Sequence, residues 1–434
     1  MSLALCARRL RPIGHLALLA SLVFATVPMH AQSYKADPLE QGLRSKGQLA
    51  KRYAKSGVGD RQLFEDYLTK YFFPSMTQPT PVGLAGLAKH QKDLFDGFLM
   101  TDKREVQKYV HEQALNFAVR VVSQRRYHPA VRNNALMILG KLQDDYAAGT
   151  PSDKANELLC KLAKRGVTSE KAYGYELNGA LMGLERHTQD FSKLTGPAKK
   201  RTAITLYDVM KTDKLPMHLA PGVSDWIYLQ TAKSIGNLGT PGPKGVFATT
   251  IARKAADENL EIETRAAIAA ELARLKLAPG KVKAEPITDA LFALADDIGE
   301  SEEATATKFE DMKLRGGNRM AASGRGNEAR RFRESDKNQG EMVLVREGLL
   351  DLLLDLRKAV QAGKAIAAEE PKAQLAAIEE SITDAIRAAG NKDLIDLDVT
   401  DAVKSMASTI EANQPVPPAE EEAAVDAGLA ADTP

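Results

Sequence analysis

Apolar residues recur along most of this chain at intervals of three and four, the period of helices buried on one face. Residues 32–59 are the first exception, a polar and basic stretch that reads as a loosely ordered lead-in with at most one short helix. From Asp60 the pattern is clear: Leu63, Phe64, Tyr67, Leu68, Tyr71 and Phe72 form a broad helical stripe that Pro74 ends. Its six apolar and aromatic side chains read as a face packed against the next helix rather than as a binding groove. Pro79-Thr80-Pro81 then separates it from a helix through Leu94, Phe95, Phe98 and Leu99. A long helix opens at Thr101 or Asp102 and carries Val106, Val110, Ala114, Leu115, Ala118 and Val121. It ends near Arg125-Arg126, and His128-Pro129 begins another.

That next helix supplies a frame that returns. In Val131-Arg132-x-x-Ala135-x-x-x-Leu139-Gly140-x-Leu142 the residues Val131, Ala135, Leu139 and Leu142 share one face, and small Ala135 and Gly140 permit close approach of a neighbour. Pro129 suits a first helical turn, where its missing N–H is not needed. The frame recurs as Thr264-Arg265-x-x-Ile268-x-x-x-Leu272-Ala273-x-Leu275 and, more weakly, as Ile227-Tyr228-x-x-Thr231-x-x-x-Ile235-Gly236-x-Leu238. A helix with Leu177, Ala180, Leu181 and Leu184 fills the remaining slot without the arginine. This frame resembles the second helix of a HEAT repeat. The markers Gly140, Gly183, Gly236 and Ala273 are separated by 43, 53 and 37 residues, around the usual 40–47 of HEAT and armadillo units. The resemblance implies an all-α fold, an α-solenoid of about four HEAT-like hairpins over roughly residues 85–300, within a repeat domain spanning 60–300.

Beyond the repeats a last short helix carries Leu291 and Leu294, and composition then shifts. Residues 300–305 are acidic and polar, and residues 313–337 are basic and glycine-rich, so 301–340 reads as a linker. A strongly apolar helix follows from Glu341 to Val360, then one from Pro371 to Ala389 capped by Gly390, then one from Thr400 to Ile410. Together they predict a small C-terminal helical module over 341–412. The tail, 413–434, is acidic and proline-containing and is expected to be disordered.

Composition changes the picture chiefly at the N-terminus. Arg8, Arg9 and Arg11 precede an apolar run from Ile13 to Val27, and Met29-His30-Ala31 offers a small-x-small cleavage site. Fifteen helical residues span roughly 22 Å, short of a bilayer's hydrocarbon core of about 30 Å. Residues 1–31 therefore read as a signal peptide, with retention as an anchor, and hence membrane contact, as the alternative to cleavage after Ala31. The formal charge is +2, from 59 Lys+Arg and 57 Asp+Glu. Loss of three arginines with that segment leaves 56 against 57, or −1, and removes any global argument for a nucleic-acid or anionic-surface partner. Of two cysteines, Cys6 leaves with the signal, so Cys160 cannot form an intramolecular disulfide and reads as a small buried hydrophobe.

Little in the chain announces chemistry. The histidines His90, His111, His128, His187 and His218 show no ligand spacing, and there is no Cys-x-x-Cys, so no metal site and no cofactor is expected. Gly239-Thr240-Pro241-Gly242-Pro243-Lys244-Gly245 lacks the Gly-Lys-Ser/Thr ending of a phosphate loop, and its prolines remove backbone donors; it reads as a rigid turn and excludes a nucleotide. Asp393, Asp396, Asp398 and Asp401 do not match an EF-hand loop and read as a strand-like or capping segment before the next helix. The candidate anion-binding residues are Arg315, Arg319, Arg325, Arg330, Arg331 and Arg333, six arginines among glycines within 19 residues. Phe332 is the one aromatic there, which argues against base stacking. The sequence thus predicts an exported, non-enzymatic helical-repeat scaffold that binds another protein. Two readings stand beside it: an envelope protein holding an acidic polymer through residues 313–337, and an enzyme with a site assembled from remote residues.

Overall fold

The computed structural model describes residues 33–170, 174–215, 219–220, 222–314, 332–334 and 342–415. The fold is all-α, its strands confined among these residues to two short hairpins. The signal-like segment 1–31, Cys6 and the acidic tail from residue 416 on lie outside the described residues. Among the described residues no helix is long and apolar enough to cross a membrane.

The lead-in is ordered from residue 33. Helix α1 (Gly47–Ser56) buries Ala50 and Ala54. Asp37 ties the start of the chain down: its carboxylate accepts from Tyr127 Oη and from Arg120 Nη1, both at 2.7 Å. Helix α2 (Arg61–Asp66) continues through a π-helical stretch, Tyr67–Phe72, into Phe73–Ser75, so Pro74 sits inside the last turn. The aromatic stripe packs as a core face: Phe64, Phe72 and Phe98 are buried together, with Phe72 and Phe98 centroids 5.0 Å apart in an edge-on contact. Thr80 caps α3 (Pro81–Ala85), and α4 (Leu87–Lys92) runs into a second π-helical segment, Asp93–Leu99.

The helices then alternate between two rows. Helix α5 (Arg104–Ser123) packs on α6 (Pro129–Leu139), and α7 (Asp153–Thr168) packs on α8 (Gly174–Gln189). The pairs α9 (Gly196–Met210) with α10 (Val223–Leu238), and α11 (Val246–Ala255) with α12 (Ile262–Ala270), repeat the arrangement. Each even-numbered helix from α6 to α12 packs on the next even one, and α7, α9 and α11 pack in sequence likewise. The frame markers lie at these crossings. A Cβ on Gly140 would stand 2.6 Å from the Cα of Gly183, so α6 and α8 touch backbone to backbone where both lack a side chain.

The second residue of the frame has a common task. Arg132 donates to the carbonyl of Val122 and Arg265 to that of Ala255, each ten residues back at the end of the preceding helix. Tyr228 Oη, at the same place in the third frame, donates to Thr212 O at 2.8 Å, just beyond α9. These groups satisfy carbonyls that helix ends leave open.

Helix α13 (Glu285–Leu314) is far longer than the short helix expected around Leu291 and takes in the first part of the presumed linker. Its extension is held because Glu302, Ala306 and Phe309 are buried, on the spacing of one helical face. Strands β3 (Phe332–Glu334) and β4 (Met342–Leu344) pair antiparallel, and helix α14 (Arg346–Lys364) begins only after β4, later than the expected Glu341. Helices α15 (Glu369–Gly390) and α16 (Asp396–Ala412) complete the chain. α14 packs on α12, α16 packs on α13, and one continuous hydrophobic core runs from Ala50 to Ile410.

Candidate functional site

One row of helices is interrupted. α5 and α7 scarcely meet, and the hairpin of β1 (Gln143–Asp145) and β2 (Thr150–Pro151) stands where they part. The Asp145 carboxylate accepts from the N–H groups of Ala147 and Ala148, both at 2.9 Å, and Gly149 turns the chain at φ 67°. Those N–H bonds, that of Ala148 foremost, hold the Asp145 carboxyl below the usual carboxylate range. Asp144 Oδ2 accepts from the N–H of Asp153 at 2.9 Å, which ties the hairpin to the start of α7.

The hairpin divides two clefts that share Gln143 and Tyr146. The first, about 810 Å³, lies between α5 and the hairpin. Six carboxylates (Asp102, Glu105, Glu112, Asp144, Asp145, Asp153) face three cations there. His111 lines it, with Nε2 3.6 Å from Asp144 Oδ1 and the Gln143 backbone beside the ring. Burial lowers the His111 pKa, a fall that the Asp144 charge opposes. The Tyr146 ring meets His111 edge-on at 6.4 Å, and burial drives its phenol pKa up.

The second cleft, about 630 Å³, lies between α4 with its π-helical extension, the ends of α6 and α8, and the other side of the hairpin. Its charges are Lys92, Lys141 and Arg186 against Asp96 and Asp190. Phe95, Met100, Tyr146 and Pro151 give it an apolar wall, with Met100 left 65% exposed. His187 lines it from inside, 2% exposed; burial lowers its pKa to about 4, so the ring is neutral at pH 7.

The sequence-predicted residues fall elsewhere. Arg315, Arg319, Arg325, Arg330 and Arg331 lie outside the described residues. Arg333 is exposed on β3 and lines neither cleft. Gly239–Gly245 is the turn between α10 and α11, with Gly239, Gly242 and Gly245 at positive φ and Lys244 at φ 55°. Asp396 accepts from Arg346 Nη2 at 2.7 Å and from the N–H of Leu344 at 2.9 Å, and Asp398 from the N–H of Ile395 at 3.2 Å, so this acidic run anchors and caps α16. Cys160 is buried, and burial raises its thiol pKa. His128 caps α6 through Nδ1, His90 lies 3.5 Å from Ser75 Oγ, and His218 is outside the described residues. Among the described residues no three His, Cys, Asp or Glu side chains stand where they could share a metal ion.

Sequence reading set His111 and His187 aside for want of ligand spacing and missed Lys141, Tyr146 and Arg186, because the cleft residues come from separate stretches of the chain. One signal was present: Gln143–Pro151, with Asp144-Asp145 and Gly149, interrupts two helical patterns. Comparison with protein-family models, with curated proteins and with solved structures gave no match to this chain, and the clefts are the ground on which its function is argued.

Proposed function

We propose that this chain is an exported, non-enzymatic helical-repeat scaffold that binds another protein across the hairpin 143–151. One observation carries the reading: two adjoining clefts of opposite charge balance share Tyr146 as their common wall. A polypeptide segment laid over Tyr146 places a basic side chain in the first cleft and an acidic group in the second, a complementarity that fixes register as well as affinity. The two rows of paired helices and the recurring frame suit a HEAT-like solenoid, whose extended surfaces serve recognition; that step is analogy at the level of the fold. Export rests on residues 1–31.

The test places a photo-crosslinking residue at Tyr146, at Met100 and, as a control, at Ile204, which is exposed on remote α9. The expected result is one and the same envelope protein captured from the first two positions and not from the third. Equal capture from all three, or from none, overturns the reading.

A further inference from the structure

The second cleft collects cations that make no direct ion pair with a described acid. Arg186 Nη1 makes one long hydrogen bond, 3.4 Å to the carbonyl of Met137, and no described carboxylate pairs with it. Lys141 donates to Gln91 Oε1 at 2.8 Å and stands 5.6 Å from the Phe95 ring centroid; it feels the Asp96 charge but makes no ion pair with it. Of the two acids lining the cleft, Asp190 pairs with Lys193 at 2.8 Å, and Asp96 is exposed. A guanidinium has five donors and an ammonium three, so most of this donor capacity is unspent. Burial, and secondarily the Arg186 charge, lowers the Lys141 pKa against the Asp96 charge; burial lowers that of Arg186 against the Glu185 charge.

Helix-end capping is the rival explanation. Both cations sit at the C-terminal ends of α6 and α8, where open carbonyls favour positive charge. Capping accounts for the charges but not for a cleft of about 630 Å³ or for the apolar wall beside them. Nor does it account for His187. Its ring is 2% exposed at the back of the cleft, with Nδ1 facing the Asn156 amide nitrogen at 3.4 Å and the Leu139 carbonyl beside it, so a neutral buried imidazole backs the two cations.

We propose that this cleft binds a small organic anion, its carboxylate or phosphate held by Arg186 and Lys141 and its apolar body against Phe95, Tyr146 and Met100. The planar fork of Arg186 suits the two oxygens of such a group, and Lys141 adds a point charge at the rim. The inference deepens the recognition reading above and rests on it for the place of the surface: the anion is the acidic group of the bound segment, or a free metabolite of the same chemistry.

Calorimetric titration of the full chain with phenylacetate, phenylphosphate, inorganic phosphate and phenol tests it. Phenylacetate or phenylphosphate should bind at least about tenfold more tightly than inorganic phosphate or phenol. Tighter phenylacetate points to a carboxylate and tighter phenylphosphate to a phosphate ester, and loss of the Tyr146 crosslink on adding the tighter probe marks the anion as part of the bound segment rather than a free metabolite. Arg186→Gln and Lys141→Gln should each weaken that binding about tenfold at an unchanged unfolding midpoint. No saturable binding by the full chain up to about 10 mM overturns the proposal. So does binding that the double variant retains, or a pair of variants that lose stability in a protein that binds neither probe, the mark of capping alone. Crosslinking at Tyr146 separates the two ideas. Capture of a partner without probe binding sinks the anion site alone, and probe binding without capture sinks the scaffold alone.

Discussion

Glu176 is 2% exposed and lies between two guanidiniums, Arg132 from α6 and Arg165 from α7, which makes it the charged centre of the first two helix pairs. Arg132 is 3% exposed and Arg165 is 46% exposed, so the two contacts differ in kind. Withdrawing a carboxylate from a buried guanidinium costs on the order of 3–5 kcal/mol, because the cation has been taken from water and its best acceptor is gone. Losing a half-exposed pair costs about 0–1 kcal/mol. Glu176→Gln should therefore lower stability by about 3–5 kcal/mol and Arg165→Gln by no more than about 1 kcal/mol, read from urea unfolding midpoints. Equal losses would mean that Arg132 draws its compensation from elsewhere.

At the scale of elements, the approach of α6 to α8 depends on two absent side chains. A methyl group at Gly140 would meet the Gly183 backbone at 2.6 Å, and a backbone cannot swing aside as a side chain can. Gly140→Ala should force the helices apart and cost roughly 1–3 kcal/mol. Gly390→Ala, where nothing lies within 4 Å, should be neutral or stabilising by up to about 1 kcal/mol. A neutral Gly140→Ala would show that the crossing has slack. Gly140 and Gly183 were legible in the sequence, because a small residue at a fixed place in an apolar frame has a local signature. Helix existence was legible for the same reason. The extent of α13 was not read, since an acidic surface at 300–305 masked the buried face of Glu302, Ala306 and Phe309. The π-helical stretches left no pattern to find. The clefts were the least legible feature, for Lys141 and Arg186 lie 45 residues apart and are brought together only by the packing of α6 on α8.

At the scale of the molecule, the question is whether the C-terminal helices are an appendage or part of the core. α14 comes so close to α13 that a Cβ on Gly363 would stand 2.5 Å from Leu291 Cδ1, and Gly299 of α13 faces Ala407 of α16. Lys404 pairs with Glu310, and Gln414 Nε2 donates to Phe292 O at 3.2 Å, so both ends of the interface carry polar ties. Leu291, Ile298 and Phe309 are fully buried in the whole chain. Removing α14, α15 and α16 strips cover from α13 and from α12. Each large apolar side chain that becomes exposed forfeits about 1.5–3 kcal/mol, and a few such losses rival the 5–15 kcal/mol that holds a typical domain folded. A chain ended at residue 314 should therefore bind an apolar dye, unfold over a broader range and show a thermal midpoint at least about 10 °C lower than the full chain. Were the shortened chain to keep the sharp transition and midpoint of the whole, α14–α16 would be an independent unit resting on the helices before them. The shared core from Ala50 to Ile410 argues for the first outcome, with the C-terminal helices covering apolar faces of α12 and α13 that would otherwise meet water.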